Sequence, residues 1–328
     1  MTLARALLAL APLVLTACLD REERIGVLFD GRVNITHRVQ GDLGDFEDER
    51  PDLPGPPDFA VRITDRRQGE RAVRALTATG SFASAADVPD RLGQGPGALR
   101  LSTELQREEA PGGGETFTFV RTYRARRWAA YTCPPDPGLV EQLRRVIQGS
   151  ANADEQRRVI AALLRAERRR ATQLALDALD DVAGPDPRLP LARLHTFLLV
   201  DERTREALPP EVVLELLRAR PEATGPRVAE LRRDLDARLV ARAAATLDLS
   251  AAEREALGAA LAGRRQALEV SEDLGDERFV VRLRLPGVLL AHNGDAVEDG
   301  EVVWRFEGQE LWDRERVLIA RSTTTPAR

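Results

Sequence analysis

Apolar and polar residues alternate along most of the stretch from Arg24 to about Tyr131, the two-residue period of half-buried strands. Ile25–Phe29 and Arg32–Val39 flank Asp30-Gly31, a dipeptide suited to a tight hairpin turn, and Val33, Ile35, His37 and Val39 share one side of the second arm. After the proline-rich loop Glu49–Asp58, strands are predicted over Phe59–Thr64 and Ala72–Phe82, then a short helix around Ala85–Leu92. Leu99–Gln106 and Thr116–Tyr123 flank Pro111-Gly112-Gly113-Gly114, a second hairpin connection.

Pro134-Pro135-Asp136-Pro137-Gly138 breaks this pattern, and the period becomes helical from there to about Val270. Asn152 with Glu155 reads as an N-cap and its capping partner, opening a helix that runs to Val182 and stops at Gly184-Pro185-Asp186-Pro187. Pro226 suits an early helical position, with Val228, Leu231, Leu235, Leu239, Ala243 and Leu247 following at spacings of three and four. Ser250 and Glu253 form a second capping box, for a helix to about Leu268. No fixed-period repeat occurs.

Strands return over Arg278–Leu285, Val288–His292, Glu301–Phe306 and Arg316–Arg321, with turns at Asn293-Gly294 and Asp299-Gly300. Two short terminal β regions lack the area to bury a face alone, which predicts that strands of 24–40 and 279–321 share one sheet. The expected fold class is therefore α+β: a mainly antiparallel sheet formed by N- and C-terminal strands, carrying a long helical insertion. The expected division is 1–17 signal peptide, 18–23 tether, 24–133 β-rich, 134–270 helical, and 271–328 completing the sheet.

Composition narrows the chemistry. All 48 basic residues are arginine, which excludes Schiff-base lysine chemistry and the lysine of a phosphate-binding GxxxxGK[ST] loop. A net charge of −5 gives no global attraction to nucleic acid, so none is expected as partner.

The first twenty residues read as an address. Arg5 precedes the apolar run Ala6–Leu15, too short and too interrupted by Pro12 for a membrane-spanning helix. Leu15-Thr16-Ala17-Cys18 resembles the bacterial lipobox. That resemblance implies cleavage before Cys18, lipidation of Cys18 with acyl chains such as palmitate, and membrane attachment in the cell envelope, facing the periplasm. In the sorting pattern of such lipoproteins, Leu19 rather than Asp after Cys18 implies the outer membrane over the inner. Several acyl chains anchor stably where one binds only marginally. Cys133 is left without a partner in the chain, so an internal disulfide is not expected.

Leu285-Pro286-Gly287, Asn293-Gly294, Gly300 and Val303-Trp304 form a second pattern, which resembles LppM-like domains of bacterial envelope lipoproteins. The hairpin around Asp30-Gly31 is similar to the opening strands of that group. The resemblance implies binding of an amphiphile or glycolipid, while the long helical segment departs from the compact family pattern.

Each candidate site also has an ordinary structural reading. His37, His195 and His292 fall on separate elements, and no HxH, HExxH or CxxC spacing occurs, so no metal and no cofactor is expected. His37 and His292 would meet only if their strands neighbour. Cys133, beside Trp128 and Tyr131, reads as a small buried hydrophobe. The acids Asp42, Asp45, Glu47, Asp48, Glu49 and Asp52, and the run Asn293–Glu301, lack EF-hand spacing. No GxSxG elbow or paired-carboxylate signature stands out, so no catalytic residue is assigned.

Arg158, Arg165 and Arg169 fall on one stripe of the long helix and would suit anionic headgroups or lipopolysaccharide phosphates. The competing reading is a solvated face paired with acids such as Asp234 and Asp236, which the acidic chain favours. The functional expectation is a non-enzymatic, membrane-anchored envelope lipoprotein that binds a protein or envelope component. A lipid or amphiphile carrier is the alternative, and a hydrolase of envelope polymers stands third.

Overall fold

A computed structural model describes residues 19–324, save for 47–51, 69–70, 111–112, 132–136, 185, 208, 219–220 and 276. The chain divides into two compact units, one helical over Trp128–Glu272 and one β-rich, running up to Arg127 and again from Asp273. Each is described by itself.

The β unit is built from two sheets. The seven-stranded sheet has the order β10-β11-β8-β1-β2-β4-β3, with β1 (Asp20–Val27), β2 (Val33–Asp42), β3 (Ala60–Gln68), β4 (Arg71–Phe82), β8 (Arg278–Arg284), β10 (Ala296–Glu298) and β11 (Glu301–Glu307). The five-stranded sheet has the order β5-β6-β7-β12-β9, with β5 (Arg91–Leu92), β6 (Leu99–Ala110), β7 (Gly114–Tyr123), β9 (Val288–His292) and β12 (Arg316–Thr323). Alternation decides which residues enter the core. Val33 and Ile35 of β2 and Phe117 and Phe119 of β7 are buried, as are Val281 and Leu283 of β8. With Trp304 and Phe306 of β11 and Leu318 and Ala320 of β12 they fill one apolar cluster. Each large side chain so buried contributes about 2–3 kcal/mol.

Two sequence expectations need correction. Strands from both termini do share a sheet, since β1 pairs in parallel with β8 and antiparallel with β2. However, β9 and β12 join β7 in the second sheet instead. The chain changes sheets at Pro286-Gly287, where Gly287 has φ +80° and a Cβ would lie 2.1 Å from the Thr323 carbonyl oxygen. Alternation reports which face a residue occupies, not which strand lies beside it. The helix expected around Ala85–Leu92 is only a 3-10 turn over Ala85–Asp87 followed by β5. Pro89 drives Val88 to extended backbone (ψ 128°), ending the turn.

The helical unit holds α1 (Trp128–Tyr131), α2 (Pro137–Ile147), α3 (Ala153–Ala183), α4 (Leu189–Ala207), α5 (Pro210–Arg218) and α6 (Pro221–Leu247). The last helix, α7 (Ala251–Leu274), runs out of it into the β unit. Asn152 caps α3 by accepting from the Asp154 and Glu155 amides at 3.0 Å, and the Glu155 carboxylate accepts from the Asn152 amide at 3.1 Å. Gly184 ends the helix at φ 52°, a conformation unfavourable for other residues. Ser250 and Glu253 cap α7 in the same manner. Ala171, Leu174, Ala175, Ala178 and Leu179 of α3 are buried with Ala192 and Val200 of α4 and with Leu239, Ala243 and Leu247 of α6.

Charged residues also enter this interior. Arg170 of α3 donates to Glu272 of α7 at 2.6 Å, and Arg232 of α6 lies 3.5 Å from Glu167. Burial alone would raise the Glu167 pKa, yet Arg232 and Arg170 outweigh it and hold this carboxyl below its ordinary value. Breaking such a pair strands its partner without compensation, so these charges are costly to lose even where the intact pair adds little stability.

Candidate functional site

The inward parity of β1, set by Ile25 and Val27, carries Arg21 and Glu23 onto the same buried face. Arg121 and Tyr123 of β7 arrive opposite them by the parity of Phe117 and Phe119. Glu23 accepts from the Arg121 guanidinium and from the Tyr123 hydroxyl. Arg21 donates to Asp52 and Glu277, and also to the Asp52 carbonyl at 3.2 Å. Extending the strand pattern back from Ile25 would have flagged this cluster, because it sets charges where apolar residues belong.

Electrostatics follow from burial. The Tyr123 hydroxyl is pushed well above its ordinary value by burial first and by the Glu23 charge second. Burial would lower the Arg121 pKa, but Glu23 and Tyr123 outweigh it and keep the guanidinium charged. His37 is lowered to about 4, chiefly by burial, with Glu23 pulling upward and Arg121 and Arg21 pushing down. Its ring packs edge-on against Phe59 at 5.2 Å between centroids. A cavity of about 20 Å³ lies beside His37, Arg21, Glu23, Tyr123 and Phe279, with room for one water. Chemically, the cluster is a set of paired charges that ties the two sheets together, with His37 Nε2 and Arg121 Nε buried without a hydrogen bond.

The residues singled out by sequence fall as follows. Cys18 and Cys133 lie outside the described residues. Arg158, Arg165 and Arg169 are all exposed on α3. The acids expected to pair with them are engaged elsewhere, Asp234 with Arg238 at 2.8 Å and Asp236 with Arg265 at 2.6 Å. His37 and His292 do not share a sheet, belonging to β2 and β9. The His292 Nδ1 accepts from the Gly294 amide at 3.1 Å, and the His195 Nδ1 stands 3.0 Å from Thr246 Oγ1.

Glu47, Asp48 and Glu49 lie outside the described residues, while Asp52 is buried against Arg21. In the second stretch, Asn293 Oδ1 accepts from Trp304 Nε1 and the Ile319 amide, each at 2.8 Å. Glu298 pairs with Arg282 and Arg305 at 2.9 and 2.6 Å. Among the described residues, no group of three or more His, Cys, Asp or Glu side chains is placed to hold a metal ion.

A surface that the sequence reading missed lies on α4. Its inner side buries Ala192, Thr196 and Val200. The opposite side presents Leu191, Leu194, Phe197 and Leu198, each 49–57% exposed. These four positions span about 120° of the helix at 100° per residue, one continuous apolar face. The signal was present in Leu189–Val200, where apolar residues cover more of the helix circumference than one buried face needs, with Arg193 and His195 interrupting them. No helix among the described residues is long and apolar enough to cross a membrane.

Among solved structures, the chain is similar to the NMR structure of the folded domain of Mycobacterium tuberculosis LppM. The identity is 8% and the TM-score 0.30, over 96% of this chain and 95% of that one. No protein-family model matches the chain, and no curated protein matches it.

Proposed function

We propose that this chain is a membrane-anchored bacterial envelope lipoprotein, without catalytic chemistry of its own, that binds an envelope protein or component through its helical unit. The observation that carries the reading is the α4 face of Leu191, Leu194, Phe197 and Leu198, four large apolar side chains left half exposed together. Contiguous patches of this kind mark interaction sites, whereas single exposed leucines need no explanation. The β unit supports the reading from the other side. Glu23, Arg121 and Tyr123 satisfy one another in its interior rather than converging on an open cleft. Leu15–Cys18 supports the lipid anchor, and Leu19 after Cys18 supports outer-membrane placement.

Two measurements test this. Metabolic labelling with a fatty acid should mark the wild-type chain and leave Cys18→Ser unmarked and released from membranes; continued labelling of the variant overturns the anchor. Crosslinking in intact cells, with affinity capture and lipid mass spectrometry on the same sample, should recover an occupant of α4. The pair Leu194→Glu with Leu198→Glu should lose that occupant without losing fold. Equal recovery from both chains rejects the α4 face as the binding surface.

A further inference from the structure

β1 begins at Asp20, two residues after Cys18. On the lipoprotein reading, an acyl chain on Cys18 therefore holds that end of the seven-stranded sheet within about 7 Å of the lipid. Across the sheet, Asp20 stands level with Gln40 of β2, Gln40 with Ala75 of β4, and Ala75 with Thr64 of β3. β3 continues to Gln68, and the antiparallel pairings direct this extension to the Cys18 side. Arg66 and Arg67 lie two and three residues past the Asp20 level, about 7 and 10 Å along the strand. Sheet twist of about 20–25° per strand turns part of that reach sideways.

Charge is concentrated on the same strand. Arg62, Arg66 and Arg67 are exposed, the first two on one face and the third on the other. Arg38 of β2, also exposed, shares a row with Arg62 across Thr77 of β4. Of the nearby acids, Asp65 accepts two bonds from Arg74 at 2.8 Å and Glu22 accepts from Arg24 at 2.8 Å, while Asp42 of β2 shares a row with Arg66 across Val73 of β4. The chain as a whole carries a net charge of −5, so this cationic edge is local.

We propose that β3 is a second membrane contact, in which Arg62, Arg66 and Arg67 dock on the phosphates of anionic lipid headgroups in the bilayer that holds Cys18. The inference rests on the lipoprotein reading. Charge complementarity selects the occupant, because planar guanidinium forks match phosphate oxygens, and chain length puts a phosphate-rich surface within reach. Tethering turns a contact too weak to recruit a free protein into an intramolecular one. Two attachment points, Cys18 and the β3 edge, would set the orientation of the β unit on the membrane.

The test uses the full lipidated chain with Cys133→Ser and Ala72→Cys, since Ala72 is exposed and stands opposite Arg67 on β4. An environment-sensitive fluorophore on residue 72 is read after reconstitution into vesicles of phosphatidylglycerol mixed with phosphatidylcholine, and of phosphatidylcholine alone. We expect a blue shift and protection from aqueous quencher only with phosphatidylglycerol, lost at high salt. Replacing Arg62, Arg66 and Arg67 together with Gln should abolish the protection while leaving the far-ultraviolet spectrum and the membrane attachment unchanged. An acylated chain whose label is equally accessible in both vesicles overturns the proposal alone. A chain without acyl mass on Cys18 overturns the lipoprotein reading and this proposal with it. The same shift from soluble polyphosphate overturns the bilayer as occupant, making the edge a general polyanion site.

Discussion

His37 Nε2 lies 3.5 Å from Glu23 Oε1 inside the sandwich, yet makes no hydrogen bond to it or to any other described atom. Glu23 already accepts from Arg121 and Tyr123, so the imidazole is held close to a carboxylate that does not need it. A neutral ring is tolerated there, and a charged one would enter beside Arg21 and Arg121.

Acid should therefore weaken the β unit. His37 has its pKa lowered from 6.5 to about 4 in the folded chain, so the unfolded chain takes up the proton first. Stability present above about pH 6.5 is lost as pH falls towards 4, by about 3 kcal/mol in all. Urea titrations between pH 7.5 and 4.5 measure the slope, and His37→Phe should flatten it. An unchanged slope in that variant assigns the acid sensitivity to other groups.

Arg121→Met should be among the most damaging substitutions, because it leaves Glu23 in the interior with Tyr123 and the neutral His37 ring but no cation bonded to it. Removing one partner of a buried pair costs about 3–5 kcal/mol. Pairing it with Glu23→Gln should recover part of the loss, as judged by a double-mutant cycle in denaturant. Additive losses would show that the two residues are not coupled.

Turn chemistry makes a separate prediction at Gly287. Alanine there combines φ +80° with a Cβ only 2.1 Å from the Thr323 carbonyl oxygen. The backbone must shift where β9 leaves for the second sheet, and a loss of about 3 kcal/mol is expected. Gly300, also at positive φ but with open space around its Cβ position, should lose less when replaced by alanine. Thermal denaturation of the two variants ranks them, and the reverse order would contradict the packing argument.

The α3 arginine stripe predicts surface behaviour. Since Arg158, Arg165 and Arg169 are exposed, changing them together to Gln should alter stability by no more than about 0.5 kcal/mol. If they contact anionic headgroups, vesicle co-sedimentation of the chain should fall with salt and disappear in the variant. Equal sedimentation of variant and parent rejects the headgroup role, and a large loss of stability would reassign the stripe to internal pairing.

Local signals were legible in sequence wherever a few neighbouring residues decide the outcome. Asn152 with Glu155 marked the start of α3, and Asp30-Gly31 the β1–β2 turn, because capping and turn geometry depend on contiguous backbone. Pro89 was a readable stop signal that the Ala85–Leu92 helix expectation overrode. Other features depend on distant partners. Nothing in Val288–His292 says that β12 rather than β8 lies beside it. Nor does Leu194 differ, residue by residue, from leucines that the bundle covers. Arg21 and Glu23 stood between these cases: parity placed them inward, but only the fold supplied Asp52, Glu277 and Arg121 to receive them.

The parallel pairing of β1 with β8 has a consequence for biosynthesis. Arg21 of β1 and Glu277, just ahead of β8, bond through their side chains from 256 positions apart in the chain. The central strand of the seven-stranded sheet thus waits for nearly the whole polypeptide before it acquires its second neighbour, and β12 closes the other sheet only at the very end. Late, distant contacts of this kind delay folding until synthesis is almost complete. Were the chain exported, as the lipoprotein proposal holds, that delay would be useful. On that reading the β unit would stay threadable until its last strands had crossed, and only then close.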